Sequence, residues 1–203
     1  MTRIGLTFDD GYLEHHSLAK VMKGLRIRAT FFVITRLDSF EGSPLVTKRA
    51  GALREMAEMG HEIGAHTLTH PNLTLLETSE AEDEIAGSKQ DLEEILGAKI
   101  RGFAYPYGLY NPAVKNIVKK HFDYARTAAR QTDGTSDAYE IGVLPFDALG
   151  TFSILIRTIS PRGRDVVAML HKPDAGILQS WIKLARRLGA EFVTLQELVE
   201  DSS

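Results

Sequence analysis

Short apolar runs alternate with longer amphipathic stretches along most of the chain. The runs are rich in β-branched and aromatic residues, which is typical of strands buried on both faces. In the stretches between them, apolar residues recur every three to four positions, as Leu18, Val21, Met22 and Leu25 do. That spacing predicts amphipathic helices. The alternation therefore predicts repeated βα units, with a parallel sheet and helices outside it.

The pattern gives two sets of elements. The predicted strands are Arg3–Phe8, Ala29–Thr35, His61–Ala65, Lys99–Ala104, Phe122–Ala125, Phe152–Ile159, Asp165–Leu170 and Glu191–Thr194. The predicted helices are Glu14–Leu25, Thr47–Met59, Glu77–Leu96, Asn111–His121, Asp174–Leu188 and Leu195–Glu200. Residues 127–150 show no clear period, and the polar segment Gln131–Asp137 is expected to be a surface loop.

The number of βα units decides between two α/β architectures. About seven units favour a distorted (β/α) barrel with about seven parallel strands over an open sheet. The 203 residues suffice for one well-buried core, so we expect a single domain over residues 1–203. In such a barrel, catalytic side chains lie where the strands end.

Composition narrows the function classes. The net charge is −3 with no basic block, which gives no support for nucleic-acid binding. The chain has no cysteine, which excludes thiolate metal sites, thiol catalysis and disulfides. No apolar run approaches the ~20 residues of a membrane helix, and no signal-peptide pattern precedes the first strand. The given sequence therefore predicts a cytoplasmic protein without a membrane-spanning segment, and it does not indicate an oligomeric state.

Two short polar clusters follow predicted strands. Asp9 and Asp10 come directly after the first strand, and His66 and His70 after the third. Each cluster alone has a simpler interpretation: Asp-Asp-Gly is a common turn, and a histidine pair spaced i, i+4 on one helical face can arise by chance among seven histidines. Together they offer two carboxylates and two imidazoles, which can hold a metal and supply a base to a metal-bound water.

A further histidine ends a late strand. His171 follows the apolar run Val166–Leu170, and Tyr107 follows the fourth strand. Alone, His171 would be interpreted as a buried, hydrogen-bonded histidine. At successive strand ends, however, these residues and the two polar clusters indicate a hydrolase whose active site is assembled from several strands.

The remaining histidines have ordinary structural interpretations. His61 is expected to help fix the turn at the third strand. His15, His16 and His121 are expected on helix surfaces or at helix ends. We therefore give none of them a role in the candidate site.

Six motifs occur in a fixed order along the chain. They are Thr7–Gly11, Ala29–Val33, Gly60–Gly64, His66–His70, Phe103–Gly108 and Leu170-His171. This series resembles the ordered motifs of the polysaccharide deacetylase (NodB-homology) family, carbohydrate esterase family 4, from residue 3 to about residue 198. The resemblance implies a NodB-like barrel and metal-dependent removal of acyl groups, usually acetyl from N-acetylglucosamine units of a carbohydrate substrate.

The resemblance also implies roles for residues that match the motifs. Asp10, His66 and His70 would be the ligands of a divalent metal ion, for which zinc is our first expectation. Asp9 would be the general base and His171 the general acid. The backbone N–H of Tyr107 would be the oxyanion donor.

Two features depart from the family pattern. Ala104 stands where the family usually has an arginine, and no Asp-x-x-Asp-Trp motif occurs between residues 125 and 165. An arginine would orient the base with its bidentate fork, and Arg101 lies three residues too early to do so. Arg126 is the first residue after the next predicted strand, so we expect it to reach Asp9 and include it with the catalytic group. The alternative is that Arg126 is a solvent-exposed loop residue.

The sequence leads to one functional hypothesis and several rivals. The hypothesis is a metal-dependent hydrolase that removes N-acetyl groups from an N-acetylated sugar or polysaccharide, with metal-bound water as the nucleophile. The same fold could support an O-acetyl esterase or a small-amide hydrolase. A non-catalytic metal-containing carbohydrate-binding protein is a rival of another class, and the presence of both Asp9 and His171 argues against it.

Overall fold

The computed structural model describes residues 2–130, 137–145 and 165–201. The strands, numbered in chain order, are β1 (Thr2–Phe8), β2 (Thr30–Val33), β3 (Ser39–Phe40), β4 (Ser43–Pro44), β5 (Glu62–Ala65), β6 (Gly102–Ala104), β7 (Tyr124–Arg130), β8 (Ile141–Pro145), β9 (Val166–Leu170) and β10 (Ala190–Val193). The helices are α1 (Glu14–Gly24), α2 (Ala50–Glu58), α3 (Thr78–Leu96), α4 (Pro112–His121), α5 (Ala175–Arg187) and α6 (Leu195–Glu200). Within the described ranges, none of the helices combines the length and the apolar composition of a transmembrane segment.

Seven parallel strands close into a barrel in the order β1, β2, β5, β6, β7, β8 and β9. Closure comes from β9, which pairs with β1 over Ile4–Phe8 and Val166–Leu170. On its other edge, β1 pairs with β10 at its beginning and with β2 at its end. The expected distorted (β/α) barrel with about seven parallel strands is therefore confirmed.

Alternate residues of the barrel strands pack in two different apolar clusters. Phe31, Phe103 and Ala125 pack with residues of helices α1 to α5, outside the barrel. The residues next to them along the chain, Phe32, Ala104 and Tyr124, pack with Leu195 and Leu198 of α6 instead. Because successive side chains of a strand point to opposite faces, this second set fills the barrel interior.

Helix α6 lies at the end of the barrel away from the carboxyl ends of the strands. Its backbone N–H groups bond to side chains at the beginnings of β2 and β5. Leu195 N–H donates to Thr30 Oγ1 at 2.8 Å, and Gln196 N–H donates to Glu62 Oε2 at 3.0 Å. These bonds close one end of the barrel and leave the other end open for a cleft.

Several element boundaries differ from the sequence prediction. The expected helix Thr47–Met59 begins only at Ala50, because a separate 3₁₀ turn occupies Val46–Lys48. The expected strand Phe122–Ala125 is longer and lies at Tyr124–Arg130. Strand β8 and the β3–β4 hairpin were not predicted. The predicted strand Phe152–Ile159 and most of the predicted loop Gln131–Asp137 fall outside the described residues.

Candidate active site

A cleft of about 350 Å³ opens at the carboxyl ends of the barrel strands. All seven residues singled out from the sequence line this cleft. Its lining consists of Asp9, Asp10, Phe40, Glu41, His66, His70, Tyr105, Tyr107, Gly108, Arg126, Ala128, Met169 and His171.

The alternation along the strands explains why four of the polar side chains converge. Asp9 follows Phe8, and His66 follows Ala65, and both of these apolar residues pack outside the barrel. Arg126 lies two residues after Tyr124, which faces the interior. His171 likewise lies four residues after the interior residue Val167. Side chains alternate in direction along each strand, so the alternation that points apolar residues into the barrel also points these polar groups toward its open end.

Asp9 and Asp10 contact different partners although they are adjacent. Asp9 forms an ion pair with Arg126, and Asp10 faces His66 and His70. The chain turns sharply here, since Asp10 (φ 71°) and Gly11 (φ 73°) are both in the left-handed region. A side chain at Gly11 would also collide with Val33, because its Cβ would lie 2.9 Å from Val33 Cγ1. The glycine of the Asp-Asp-Gly motif is thus required by both conformation and space.

One carboxylate and two imidazoles form a buried donor group. Asp10 Oδ1 lies 3.5 Å from His66 Nε2 and 3.6 Å from His70 Nε2. All three donor atoms lie within 4.8 Å of one another. His66 Nδ1 lies 2.8 Å from the carbonyl oxygen of Ala104, which can only accept, so Nδ1 carries the proton and Nε2 presents its lone pair. The arrangement is that of a candidate metal centre.

The protonation states of the donor group suit a cation. Burial raises the pKa of Asp10, but the neighbouring histidines, His66 foremost, outweigh this effect, and the pKa falls to about 2. Burial, and to a smaller extent the neighbouring His66, lower the pKa of His70 to about 4. Near neutral pH, Asp10 is therefore a carboxylate and His70 a neutral imidazole, which are the forms that bind metals.

The segment His66–His70 is a turn and not a helix, so the expectation of one helical face was wrong. Thr67 (φ 66°) and His70 (φ 60°) are left-handed, and His70 N–H donates to Thr67 Oγ1 at 2.9 Å. The turn still brings the two imidazole centroids to 4.7 Å. Left-handed conformations of such residues cost on the order of 1 kcal/mol or more each, and they cluster at functional sites.

Glu84 of α3 stabilises this turn from outside. The backbone N–H groups of Leu68 and Thr69 both donate to Glu84 Oε2 at 2.9 Å. The Thr69 hydroxyl donates to Glu84 Oε1 at 2.6 Å. One carboxylate therefore fixes the peptide units that lie between the two histidines.

Arg126 contacts Asp9 from a neighbouring strand. Its guanidinium Nη2 forms an ion pair with Asp9 Oδ1, and its Nη1 donates to the carbonyl oxygen of Thr127 at 3.0 Å. Met169 and the face of Phe32 complete its surroundings, and only 1% of the Arg126 surface is exposed. The contact expected between Arg126 and Asp9 is present, and the alternative of a solvent-exposed loop arginine was wrong.

The strand register explains how Arg126 can take the place of the missing arginine. Ala104 of β6 pairs directly with Arg126 of β7, so the two positions are lateral neighbours. Arg126 therefore contacts Asp9 from the strand position next to Ala104. Arg101, by contrast, donates to Asp123 at 2.8 Å in an exposed ion pair.

His171 and Tyr107 lie on the rim of the cleft. His171 Nε2 is 4.0 Å from Asp9 Oδ2, and 43% of the His171 side chain is exposed. Tyr107 is left-handed (φ 57°), is 59% exposed, and its ring packs on His70 at 4.6 Å. The next residue must be glycine, since a Cβ at Gly108 would lie 2.3 Å from the backbone nitrogen of Ala128.

Some residues near the site were missed or misplaced by the sequence argument. Phe40, at the hairpin between β3 and β4, packs on His70 with ring centroids 4.6 Å apart. His15 was expected on a helix surface or at a helix end; it does lie at the N-terminal end of α1, but it is completely buried, which was not expected. It lies on the same face of α1 as Leu18 and Met22, three and seven residues later. This apolar period was the signal that could have placed it inside.

The structure is a (β/α) barrel with a candidate metal centre at the carboxyl ends of its strands. A comparison with known sequences identifies the family to which such a barrel belongs. The sequence profile of the polysaccharide deacetylase family matches residues 2–123, which include Asp9, Asp10, His66, His70 and Tyr107. The chain therefore belongs to the polysaccharide deacetylase family, and the resemblance inferred from the motifs is confirmed.

Relatives and solved structures agree with this assignment. A peptidoglycan-N-acetylglucosamine deacetylase of Listeria monocytogenes is 31% identical over 203 residues, covering 97% of this chain and 38% of the relative. A family 4 acetyl xylan esterase from Clostridium thermocellum, solved with a cobalt ion, has a TM-score of 0.72 at 21% identity, covering 98% of this chain and 90% of that chain.

A pseudoenzyme of the same esterase family from Bacillus anthracis has a TM-score of 0.73 at 19% identity, covering 97% of this chain and 65% of that chain. At these identities, the two solved structures show a shared barrel. The chain also spans between 53% and 69% of the length of three further relatives.

Proposed function

We propose that this chain is a metal-dependent deacetylase that hydrolyses N-acetyl groups of an N-acetylated sugar or polysaccharide. The observation that carries the proposal is the buried Asp10–His66–His70 donor group beside the Asp9–Arg126 pair in one cleft. Family membership supports the reaction class. The named activity of the Listeria relative supports an N-acetylglucosamine unit as the substrate.

The donor group fits a divalent ion, and zinc is the ion we propose. In a tetrahedral site with bonds of about 2.0–2.1 Å, neighbouring donor atoms are about 3.3 Å apart. The observed distances from Asp10 Oδ1 to the two Nε2 atoms, 3.5 and 3.6 Å, are close to this value. When bound, such an ion would polarise the acyl carbonyl and make a water molecule acidic enough to attack it.

Asp9 is the proposed general base. It lies next to the donor group but is engaged with Arg126 instead of with the two histidines. Its carboxylate can therefore accept a proton from the attacking water. Arg126 is a positioning residue in this proposal, because a planar guanidinium holds a carboxylate in a fixed orientation.

His171 is the proposed general acid. Its Nε2 lies 4.0 Å from Asp9 Oδ2, and its half-exposed imidazole lines the cleft. An amine is a poor leaving group until it is protonated, and an imidazolium can supply that proton. The backbone N–H of Tyr107 is the proposed hydrogen-bond donor to the acyl oxygen as negative charge develops there.

Replacing His171 by alanine should slow amide hydrolysis by about 10²–10⁴-fold. The loss should be much smaller for an activated acetate ester, because its leaving group departs without a proton. Steady-state kinetics on both substrates measures the difference. His16→Ala is the matched control, since His16 of α1 pairs with Glu55 of α2 and does not line the cleft. An equal loss on the amide and the activated ester would contradict an acid role.

Replacing Arg126 by alanine should lower kcat by about 10²-fold, because misplacing a catalytic group by about 1 Å costs that much. KM and metal affinity should stay nearly unchanged, since Arg126 does not contact the donor group. The assay is run below the unfolding transition of the variant, because a buried ion pair is broken. Arg101→Ala is the matched control and should have little effect. Normal kcat in Arg126→Ala would show that Asp9 needs no arginine.

The overall proposal is tested by acetate release from three substrates, with and without added metal. We expect metal-dependent release from chitooligosaccharides or peptidoglycan fragments, both of which carry N-acetyl groups. Release from acetylated xylan alone would replace the proposal by an O-acetyl esterase. No release from any substrate, together with retained carbohydrate binding, would replace it by a non-catalytic binding protein.

A further inference from the structure

A histidine outside the cleft is buried directly behind the proposed acid. His15 of α1 has no exposed surface, and it is surrounded by aromatic rings. The ring centroids of Phe8, Tyr12 and Phe31 lie 5.5, 5.6 and 5.7 Å from that of His15. Burying a polar side chain in such surroundings costs free energy unless the side chain makes a hydrogen bond.

The hydrogen bond that His15 makes goes to the backbone of His171. His15 Nε2 lies 2.6 Å from the His171 carbonyl oxygen. A carbonyl oxygen only accepts, so Nε2 must carry the proton. Burial lowers the pKa of His15 to about 4, so the imidazole is neutral near pH 7 and has one N–H to give. That single N–H is committed to the His171 peptide unit.

The bond acts at the point where the chain leaves the barrel. Upstream of His171, the Leu170 carbonyl oxygen accepts from Asp9 N–H at 3.0 Å, which ties the end of β9 to β1. Beyond His171, Lys172 donates to Ser43 Oγ at 2.8 Å. His15 therefore holds the peptide unit between these two attachments, and the His171 imidazole extends from it toward Asp9.

We propose that His15 is a positioning residue that fixes the His171 backbone and thereby keeps the His171 imidazole in place beside Asp9. The proposal rests on the proposed function only in its effect on turnover. Its structural part, the dependence of the His171 ring on His15, stands independently. Loss of the bond should leave His171 present but displaced, which affects kcat and spares the metal ligands.

The kinetic test uses His15→Phe, which fills the aromatic surroundings but cannot donate. We expect kcat on the amide substrate to fall about 10- to 100-fold, with KM and metal affinity unchanged. His15→Gln, whose side-chain amide can donate to the same carbonyl, should recover part of the loss. In a His171→Ala background, His15→Phe should change kcat by less than about twofold, since the residue through which it acts is gone.

The second test does not depend on activity. The ring resonances of His171 are followed by NMR in the wild-type chain and in His15→Phe, and we expect them to shift in the variant. His61→Phe is the matched control, because His61 is also buried, also bonds a backbone carbonyl and also packs on Phe31. It should leave the His171 resonances unchanged.

The outcomes separate the two proposals. If the wild-type chain releases no acetate, the proposed function fails and the NMR comparison still decides the role of His15. Unchanged His171 resonances in His15→Phe, or full additivity of the two substitutions, would overturn the inference. If His15→Phe does not fold, ¹⁵N shifts of the wild-type His15 ring decide: a protonated Nε2 supports the bond, and a protonated Nδ1 overturns it.

Discussion

Replacing His70 by alanine is expected to abolish both metal binding and acetate release. Only Asp10 and His66 would remain as donors, and two donors hold a divalent ion far more weakly than three. The ion supplies several kcal/mol of stabilisation to the transition state, so the rate should fall by at least about 10³-fold. Elemental analysis of the purified protein and an acetate assay measure the two losses separately.

A matched variant separates loss of the ion from loss of the fold. His121→Ala removes a histidine that pairs with Glu82 on the outer surface of the helices, so metal content and rate should be unchanged. Circular dichroism should show that both variants remain folded. A His70→Ala protein with a full complement of metal would refute the ligand assignment.

Replacing Asp9 by asparagine is expected to leave the metal bound and to lower kcat by about 10²–10⁴-fold. Asparagine has nearly the same shape but cannot take a proton from water. The variant should also unfold at a lower temperature, because the buried guanidinium of Arg126 loses its counter-ion. Steady-state kinetics, elemental analysis and thermal unfolding measure these three effects.

The control for this substitution is Asp123→Asn. Asp123 also pairs with an arginine, Arg101, but on the exposed surface, so its replacement should change neither kcat nor metal content. Near-normal kcat in Asp9→Asn would mean that the base is another group. Loss of the metal in Asp9→Asn would mean that Asp9 is itself a ligand.

The barrel and the convergence of polar side chains at its strand ends could be predicted from local periodicity, whereas the roles of those side chains came from the resemblance to the family motifs. Strands buried on both faces give apolar runs, and the period of two continues past the strand ends to deliver Asp9 and His66 to the cleft. The contact of Arg126 with Asp9 was also predicted, but from a strand that was expected to end at Ala125; Arg126 in fact reaches Asp9 from within β7, where it pairs with Ala104.

Other features could not be predicted because they depend on contacts distant in sequence. The turn at His66–His70 is stabilised by Glu84 from α3, and nothing within the five residues indicates left-handed conformations at Thr67 and His70. Strand β8 is defined by its two neighbours in the barrel rather than by its own pattern. The burial of His15 was not predicted, because residue type was given more weight than its position on the apolar face of α1.

We propose that hydrolysis of an N-acetyl group needs one divalent ion in the Asp10–His66–His70 group. The most direct test titrates metal-free protein with zinc and follows acetate release from a chitooligosaccharide. We expect no release at zero zinc, a linear rise, and saturation at one equivalent per chain, with no response in His66→Ala. Equal release with and without zinc, or a zinc response in His66→Ala that matches the wild-type chain, would contradict it.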